Sequence, residues 1–287
     1  MCKGIMKWSF KKAYAFDIKR LDDSYASDEI REDLEIGYIN DGLSEHTLDV
    51  YYKDDGRSKP ILIDIHGGGF ISYDKEYNRV FANVAAQQGF VVFELNYRLA
   101  YPENTVFEQI EDIDKAVRWI TEHAASYGGD NNRLYISGHC TGGVLATAEV
   151  LLSLCPEMLS DYGFEGKNYQ YKGLILDCGY MHFYKKSPAY SFLRSMIFNK
   201  SYESDKRYKY LCFDQNSSIR KLPKTVLITN KQDPLKGMTY QFEELLKQNN
   251  VIYKLFEEGS KGHTGIVIKP GKLVADILKY IDVRTAR

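Results

Sequence analysis

The arrangement of apolar segments is the feature that most limits how this chain can fold. Short runs rich in β-branched and aromatic residues recur along it, and most of those after Pro60 are continuously apolar rather than alternating. Continuous runs are typical of strands buried on both faces of a parallel sheet. The runs span residues 46–52, 60–67, 90–97, 133–138, 173–179, 225–230 and 253–259.

Amphipathic helical patterns lie between these runs. Residues 75–88 place Val80, Phe81 and Val84 on one stripe and stop at a glycine, and residues 106–127 form a second, longer stripe. Strands that alternate with helices predict an α/β fold with a mostly parallel sheet and helices on both faces. The first strand or two are expected to pair antiparallel at an edge.

Two segments depart from this alternation. Residues 1–33 are predicted to form an N-terminal helical or cap segment of one or two polar helices. The main domain is predicted to cover residues 34–287, with a cap insertion at about residues 180–221. Residues 180–221 form an excursion too long for a simple loop. It is either a surface segment that packs its own rings or a lid that lines an acyl pocket; insertions at this end of an α/β sheet lie above the ligand crevice, which favours the lid. Its aromatic residues are Tyr180, Phe183, Tyr184, Tyr190, Phe192, Phe198, Tyr202, Tyr208, Tyr210 and Phe213.

Composition limits the partners and the compartment. With 38 basic and 39 acidic residues the formal net charge is -1, which gives no overall bias toward nucleic acid or anionic membranes. The five cysteines show no CxxC pair and no zinc-ligand spacing, so reduced thiols in a cytoplasmic protein are expected, without metal. Neither a signal peptide nor a membrane-spanning apolar run is predicted.

The motif "GHCTGG", residues 138–143, lies between an apolar strand and a helical pattern. Its spacing is that of a nucleophile elbow, G-x-S-x-G, with Cys140 in the position of the serine. The apex of such a turn is strained, often with a positive φ, and the glycines allow the strand and the helix to approach each other. We therefore expect Cys140 at the apex of a strand-to-helix turn.

A second glycine motif, "HGGGF" at residues 66–70, directly follows the strand "ILIDI". Consecutive glycines let backbone N–H groups turn toward a bound carbonyl oxygen, as in an oxyanion hole. A phosphate-binding loop is disfavoured, because neither GxxxxGK[ST] nor a GxGxxG that opens a helix is present.

Together these motifs resemble the hormone-sensitive-lipase-like branch of the α/β-hydrolases, the HGGG esterases. The resemblance extends from about Pro60 to about Ile268 and includes "NYRLAYPENTVFEQIEDIDKAVRWI" and "YGGDNNRLYISGHCTGG". It implies an α/β-hydrolase fold with a mostly parallel eight-stranded sheet and a small helical cap. It also implies esterase activity without a cofactor.

The resemblance further implies a set of site residues. The acid of the family lies in a D-P-L motif, here "QDPL", which points to Asp233, and its histidine follows the last strand, here His263. The implied triad is Cys140, Asp233 and His263, and the implied oxyanion-hole donors are the N–H groups of Gly68, Gly69 and Thr141. Two alternatives remain open: Asp233 as a helix cap, and His263 as an exposed histidine.

The remaining histidines and cysteines have weaker claims. His66 is expected to brace its loop by hydrogen bonding. His139 and His182 are expected to be incidental to the pocket, and Cys178 to be a buried structural thiol. Cys155 and Cys212 have no functional context.

The sequence departs from the family at the nucleophile, with "GHCTGG" where "GDSAGG" is typical. Sulfur is larger than oxygen, so a hole and a base built for serine would be misplaced. A helix N-terminus and a nearby histidine, however, both favour a thiolate. Three explanations compete: a natural Cys-His-Asp enzyme like the dienelactone-hydrolase-like relatives, a deliberate replacement of a serine that slows turnover, and a non-catalytic binding protein.

The prediction that follows is a carboxylic-ester hydrolase for small or medium acyl esters that acts through a thioester intermediate. An acyltransferase with the same triad and a ligand-binding protein on a hydrolase scaffold are the alternatives. The expected partner is a small-molecule ester, with a homodimer as the default assembly.

Overall fold

The computed structural model describes residues 2–182, 184–258 and 262–282. Phe183 of the aromatic excursion therefore lies outside the described residues. The same holds for Gly259, at the end of the last predicted strand, and for the two residues that follow it.

Within the described residues one sheet of eight strands forms the centre of the molecule, in the order β1-β2-β4-β3-β5-β6-β7-β8. Strands β3 to β8 run parallel, whereas β2 is antiparallel to both β1 and β4. This confirms the predicted mostly parallel α/β sheet. The strands are β1 (Arg31–Gly37), β2 (Thr47–Tyr52), β3 (Lys59–Ile65), β4 (Val91–Leu95), β5 (Gly129–His139), β6 (Tyr171–Asp177), β7 (Lys224–Asn230) and β8 (Tyr253–Glu258).

Strand β1 corrects the prediction of polar helices up to about residue 33. The chain forms one helix and a short 3-10 turn at Asp23–Tyr25, and then enters the sheet at Arg31. Every residue of β1 except Ile36 is exposed, because β1 is an edge strand. Pairing with β2, rather than an apolar pattern, holds it in the sheet.

Helices cover both faces of the sheet. Ile61 and Ile63 of β3 belong to one apolar cluster with α3 and α4, whereas Leu62 between them belongs to a second cluster with α2 and α9. The helices are α1 (Cys2–Ile18), α2 (Arg79–Gln87), α3 (Val106–His123), α4 (Thr141–Leu154), α5 (Pro156–Tyr162), α6 (Pro188–Ile197), α7 (Lys236–Gln248), α8 (Gly265–Ile268) and α9 (Gly271–Ile281).

Among the described residues no single helix is both long enough and apolar enough to cross a membrane. Helices α4 and α5 have the required length and hydropathy only when they are taken together, and they are bent by 110° at their junction.

Candidate active site

The turn between β5 and α4 holds Cys140 in a strained conformation. Its φ is 52° and its ψ is -115°, a region that non-glycine residues rarely occupy. A Cβ on Gly138 would lie 2.3 Å from the Gly142 carbonyl oxygen, and one on Gly142 would lie 2.2 Å from that of Ile65. Only glycine fits at these two positions, and this close approach of strand and helix is the geometry expected of an elbow.

The structure brings the three predicted triad residues together. His263 lines the same pocket as Cys140, and its Nδ1 lies 2.9 Å from Asp233 Oδ1. Asp233 is buried, whereas the side chain of His263 keeps 31% of its exposure. Cys140 is a free, half-buried thiol. Cys140 and His263 thus lie in one pocket lining, and the buried Asp233 holds the other side of the His263 ring.

Further contacts hold Asp233 in place. The Leu235 N–H donates to Oδ1 at 2.9 Å, and the Thr229 hydroxyl donates to Oδ2 at 3.1 Å. Helix α7 begins only at Lys236, and no side chain caps its N-terminus. The Asp233 carboxylate therefore accepts hydrogen bonds from His263 and from its own turn, and it does not cap a helix.

The electrostatics of the pair favour charges on both partners. Burial alone would lower the pKa of His263, but the Cys140 sulfur and the Asp233 carboxylate outweigh it and raise that pKa well above 6.5. Burial alone would raise the pKa of Asp233, but the hydrogen bonds from His263 and the Leu235 N–H lower it.

The predicted oxyanion loop lies against the elbow. A Cβ on Gly67 would come within 2.9 Å of the Cys140 Cβ, and Gly68 and Gly69 have φ values of 106° and 66°. Residues 67–69 line the same pocket as Cys140. Two of the three predicted donors thus belong to residues that face the pocket.

Thr141 and His66 support this loop. Thr141 is the first residue of α4, where backbone N–H groups have no intrahelical partner, and its hydroxyl accepts a hydrogen bond from the Phe70 N–H at 3.3 Å. His66 stacks on Tyr97 with 4.3 Å between ring centroids, and its Nδ1 lies 2.8 Å from the Gly67 carbonyl oxygen. Burial lowers the pKa of His66 to about 4, so it braces the loop as a neutral ring.

The pocket above Cys140 has a volume of about 200 Å³ and is lined largely by α1 and the loop before α2. The ring of Phe10 in α1 packs against the glycine loop, since a Cβ on Gly69 would lie only 2.7 Å from the Phe10 ring. The described residues of the excursion at 180–221 contribute nothing to this lining. Its rings pack on one another instead, as Phe198 and Tyr202 do at 4.9 Å.

A buried charged network that the sequence analysis missed lies directly behind the elbow. His139, expected to be incidental, is fully buried; its Nε2 lies 3.1 Å from Asp64 Oδ1 and its Nδ1 lies 3.0 Å from Asp177 Oδ2. Burial alone would lower the pKa of His139, but the two carboxylates raise it to about 10. Acidic residues within the apolar runs "ILIDI" and "GLILD" were the signal that could have revealed it.

This network is tied to the nucleophile through the backbone. The Cys140 N–H donates to the Asp177 carbonyl oxygen at 2.8 Å, and Asn78 and Ser137 donate to the carboxylate of Asp64. The network therefore fixes the strand ends that carry the elbow.

Cys178 lies on the far side of the Asp233–His263 pair. One ligand atom from each of these three residues falls within 4.8 Å of the other two, so together they offer a Cys-Asp-His set to a metal ion. Burial and the neighbouring carboxylates Asp177 and Asp233 raise the pKa of the Cys178 thiol, which favours its protonated form. Cys178 is not among the residues that line the pocket.

The pocket lining does not include His182, Cys155 or Cys212. His182 is buried beside Tyr184, its Nδ1 2.9 Å from that hydroxyl, and burial lowers its pKa to about 4. Cys155 and Cys212 are free thiols.

With this geometry established, comparison with solved structures identifies the fold. The chain superposes on esterase B of Lactobacillus rhamnosis with a TM-score of 0.88 and 22% identity, covering 99% of this chain and 95% of that one. The fold is that of the α/β-hydrolases. A hyperthermophilic esterase of Pyrobaculum calidifontis gives a TM-score of 0.74 at 20% identity, over 99% and 94% of the two chains.

Sequence comparisons point to esterases of this fold. The BD-FAE family model matches residues 48–174. A probable isoprenylcysteine alpha-carbonyl methylesterase of rice is 24% identical over 82% of this chain, which spans 60% of the length of that protein. The carboxylesterase NlhH of Mycobacterium tuberculosis is 33% identical over 42% of this chain and 38% of its own length. These matches support a place for the chain among esterase-like α/β-hydrolases.

Proposed function

We propose that this protein hydrolyses carboxylic esters with small or medium acyl groups, and that Cys140 is the nucleophile. The observation that carries the proposal is that Cys140 and His263 line one pocket beside a glycine loop, with the Nδ1 of His263 2.9 Å from Asp233 Oδ1. The esterase names of the sequence relatives support the reaction class.

In the first half-reaction the Cys140 sulfur attacks the ester carbonyl carbon, and the carbonyl electron pair moves to the oxygen. The resulting oxyanion is stabilised by the N–H groups of Gly68, Gly69 and Thr141. Collapse of this intermediate breaks the C–O bond to the alcohol, and His263 gives its proton to the departing oxygen. The products are a thioester on Cys140 and a free alcohol.

In the second half-reaction His263 takes a proton from water, and the hydroxide attacks the thioester carbonyl. The sulfur leaves with its electron pair, the carboxylic acid is released, and the thiolate–imidazolium pair is restored. Asp233 holds the tautomer and orientation of His263 and stabilises its charged form throughout.

Water is favoured over another acyl acceptor because His263 remains in contact with solvent. Its side chain keeps 31% of its exposure and lines the pocket beside Cys140. The pocket therefore offers water a direct path to the base, which supports hydrolysis over acyl transfer.

The direct test is turnover of p-nitrophenyl acetate, butyrate and octanoate together with intact-protein mass spectrometry. We expect p-nitrophenol release and, on rapid acid quenching, an acyl adduct that peptide mapping places on Cys140. If no ester is turned over and no adduct forms, while an ester or acid raises the melting temperature, the molecule is a binding protein and the proposal is wrong.

The position of Phe10 predicts a chain-length effect. Its ring covers Gly69 and limits a pocket of about 200 Å³, so Phe10→Ala should enlarge the acyl site. We expect the octanoate-to-acetate ratio of kcat/KM to rise by about tenfold, within the range that an apolar pocket gains per accommodated methylene group. Met6→Ala, one helical turn earlier on α1, is the matched control, and an equal rise there would remove Phe10 from the specificity argument.

A further inference from the structure

Helix α1 exposes a continuous apolar stripe on its outer face. Ile5, Trp8 and Phe16 retain 57%, 57% and 62% of their exposure, although each is large and apolar. At 100° per residue these three positions fall within one narrow arc, together with Lys12. The Lys12 ammonium lies 3.9 Å from the centre of the Trp8 ring. Large apolar side chains grouped in this way mark an interaction surface rather than ordinary surface scatter.

The opposite face of α1 is already occupied by the body of the protein. Phe10 reaches into the pocket, and the Tyr14 hydroxyl donates to Asp74 at 2.6 Å. On the same face Lys7 donates to the Tyr101 carbonyl oxygen at 3.2 Å, and Asp17 accepts from the Tyr73 hydroxyl at 2.8 Å. The outer stripe is therefore held in a fixed orientation directly above the pocket that contains Cys140.

The charge of this segment differs from that of the rest of the chain. Residues 2–20 carry six basic side chains and one acidic side chain, whereas the whole chain has 38 basic and 39 acidic residues. The rest of the chain is thus net acidic, and the basic surplus is concentrated on α1 and the two residues that follow it. Such a charge distribution attracts the helix to an anionic surface and directs the body away from it.

We propose that the outer face of α1, formed by Ile5, Trp8, Lys12 and Phe16, docks on an anionic lipid surface. A basic helix with Trp and Phe on one face lies in the headgroup region with its apolar side chains inserted. A symmetric contact between two copies would bring the lysines of α1 against each other, which disfavours a second copy as the occupant. The proposal does not depend on the chemistry at Cys140, and its readout is binding rather than turnover.

The experiment is flotation of the full chain with phosphatidylcholine vesicles that contain no, or about 30%, phosphatidylglycerol. We expect binding to the anionic vesicles only, weakened by about 0.5 M NaCl. Trp8→Ser/Phe16→Ser and Lys11→Glu/Lys12→Glu should each lower the partition constant by about tenfold or more. Leu34→Ser/Ile252→Ser is the matched control, since these side chains are 53% and 70% exposed outside α1, and it should bind like the wild type.

A second measurement follows the indole itself. The chain has two tryptophans, so Trp119→Phe leaves Trp8 as the single emitter, and its emission should shift to the blue on anionic vesicles and be quenched by brominated lipid. Equal binding of the Trp8→Ser/Phe16→Ser variant would overturn the proposal. So would absence of wild-type binding, or a lipid-free dimer that this double variant dissociates. Far-UV circular dichroism confirms that each variant is folded.

Discussion

Cys140→Ala is expected to lower kcat/KM for p-nitrophenyl butyrate by about 1,000-fold or more, because removal of a triad nucleophile leaves only the oxyanion donors and substrate binding. His263→Ala should cause a loss of similar size, since among the described residues His263 is the histidine that lines the pocket with Cys140. The double variant should be little worse than either single one, because residues that act as a unit are not additive. Initial rates over a substrate series provide the measurement.

The matched control for this prediction is Cys155→Ala. Cys155 is also a free, half-buried thiol, but it caps the end of α4 and does not line the pocket. Its removal should leave kcat/KM within about twofold of the wild type. If Cys140→Ala kept its activity while His263→Ala lost it, the attacking group would be water activated by His263, and the thioester pathway would be refuted.

The Cys140→Ser variant distinguishes two explanations of the cysteine. Either the enzyme is a natural cysteine hydrolase, or its active site is arranged for a serine that Cys140 has replaced. In a native cysteine enzyme we expect the serine variant to be slower by about 100-fold or more, because the weaker nucleophile would sit in a site arranged for sulfur. A comparable gain in kcat/KM would instead show that the hole and the base are arranged for a serine oxygen.

The sequence predicted the sheet well because burial itself leaves a pattern. Strands β3, β4, β6 and β7 are buried along most of their length and read as largely apolar runs, as does the second half of β5. The exposed edge strand β1 left no such pattern, and its seven residues were taken partly for helix. The N-terminal segment was predicted as helical or cap, but the contacts that hold α1 could not be predicted, since Tyr14 and Asp74 are 60 positions apart.

The candidate site was predictable only where short motifs carry it. The positions of Cys140, Asp233 and His263 were implied by the resemblance of short glycine and D-P-L motifs to those of the HGGG esterases, and their roles remain predictions. His139 could not be judged in this way, because its partners Asp64 and Asp177 are 75 and 38 residues away. Only the adjacency of β3, β5 and β6 in the sheet brings the three side chains together.

His139→Leu is expected to lower the free energy of unfolding by about 3–5 kcal/mol, the loss typical when one partner of a buried charged group is removed. The substitution leaves the carboxylates of Asp64 and Asp177 facing each other without the imidazolium that now lies between them. His123→Leu, at an exposed histidine of α3, is the control and should change the value by less than about 0.5 kcal/mol. Urea unfolding at pH 7 gives both numbers.

The pH dependence distinguishes a charged network from mere packing. Because the folded-state pKa of His139 is raised to about 10 from 6.5, its stabilising contribution is complete below about pH 6.5 and is lost as the pH rises through 10. The reference is His139→Leu combined with Asp64→Asn and Asp177→Asn, in which the network has no titrating group and much of the stability should return. The stability of the wild type relative to this triple variant should therefore fall steadily between about pH 7 and pH 10. A difference that stays constant over that range would mean that His139 is neutral in the fold, and that shape rather than charge holds the strand ends beneath Cys140.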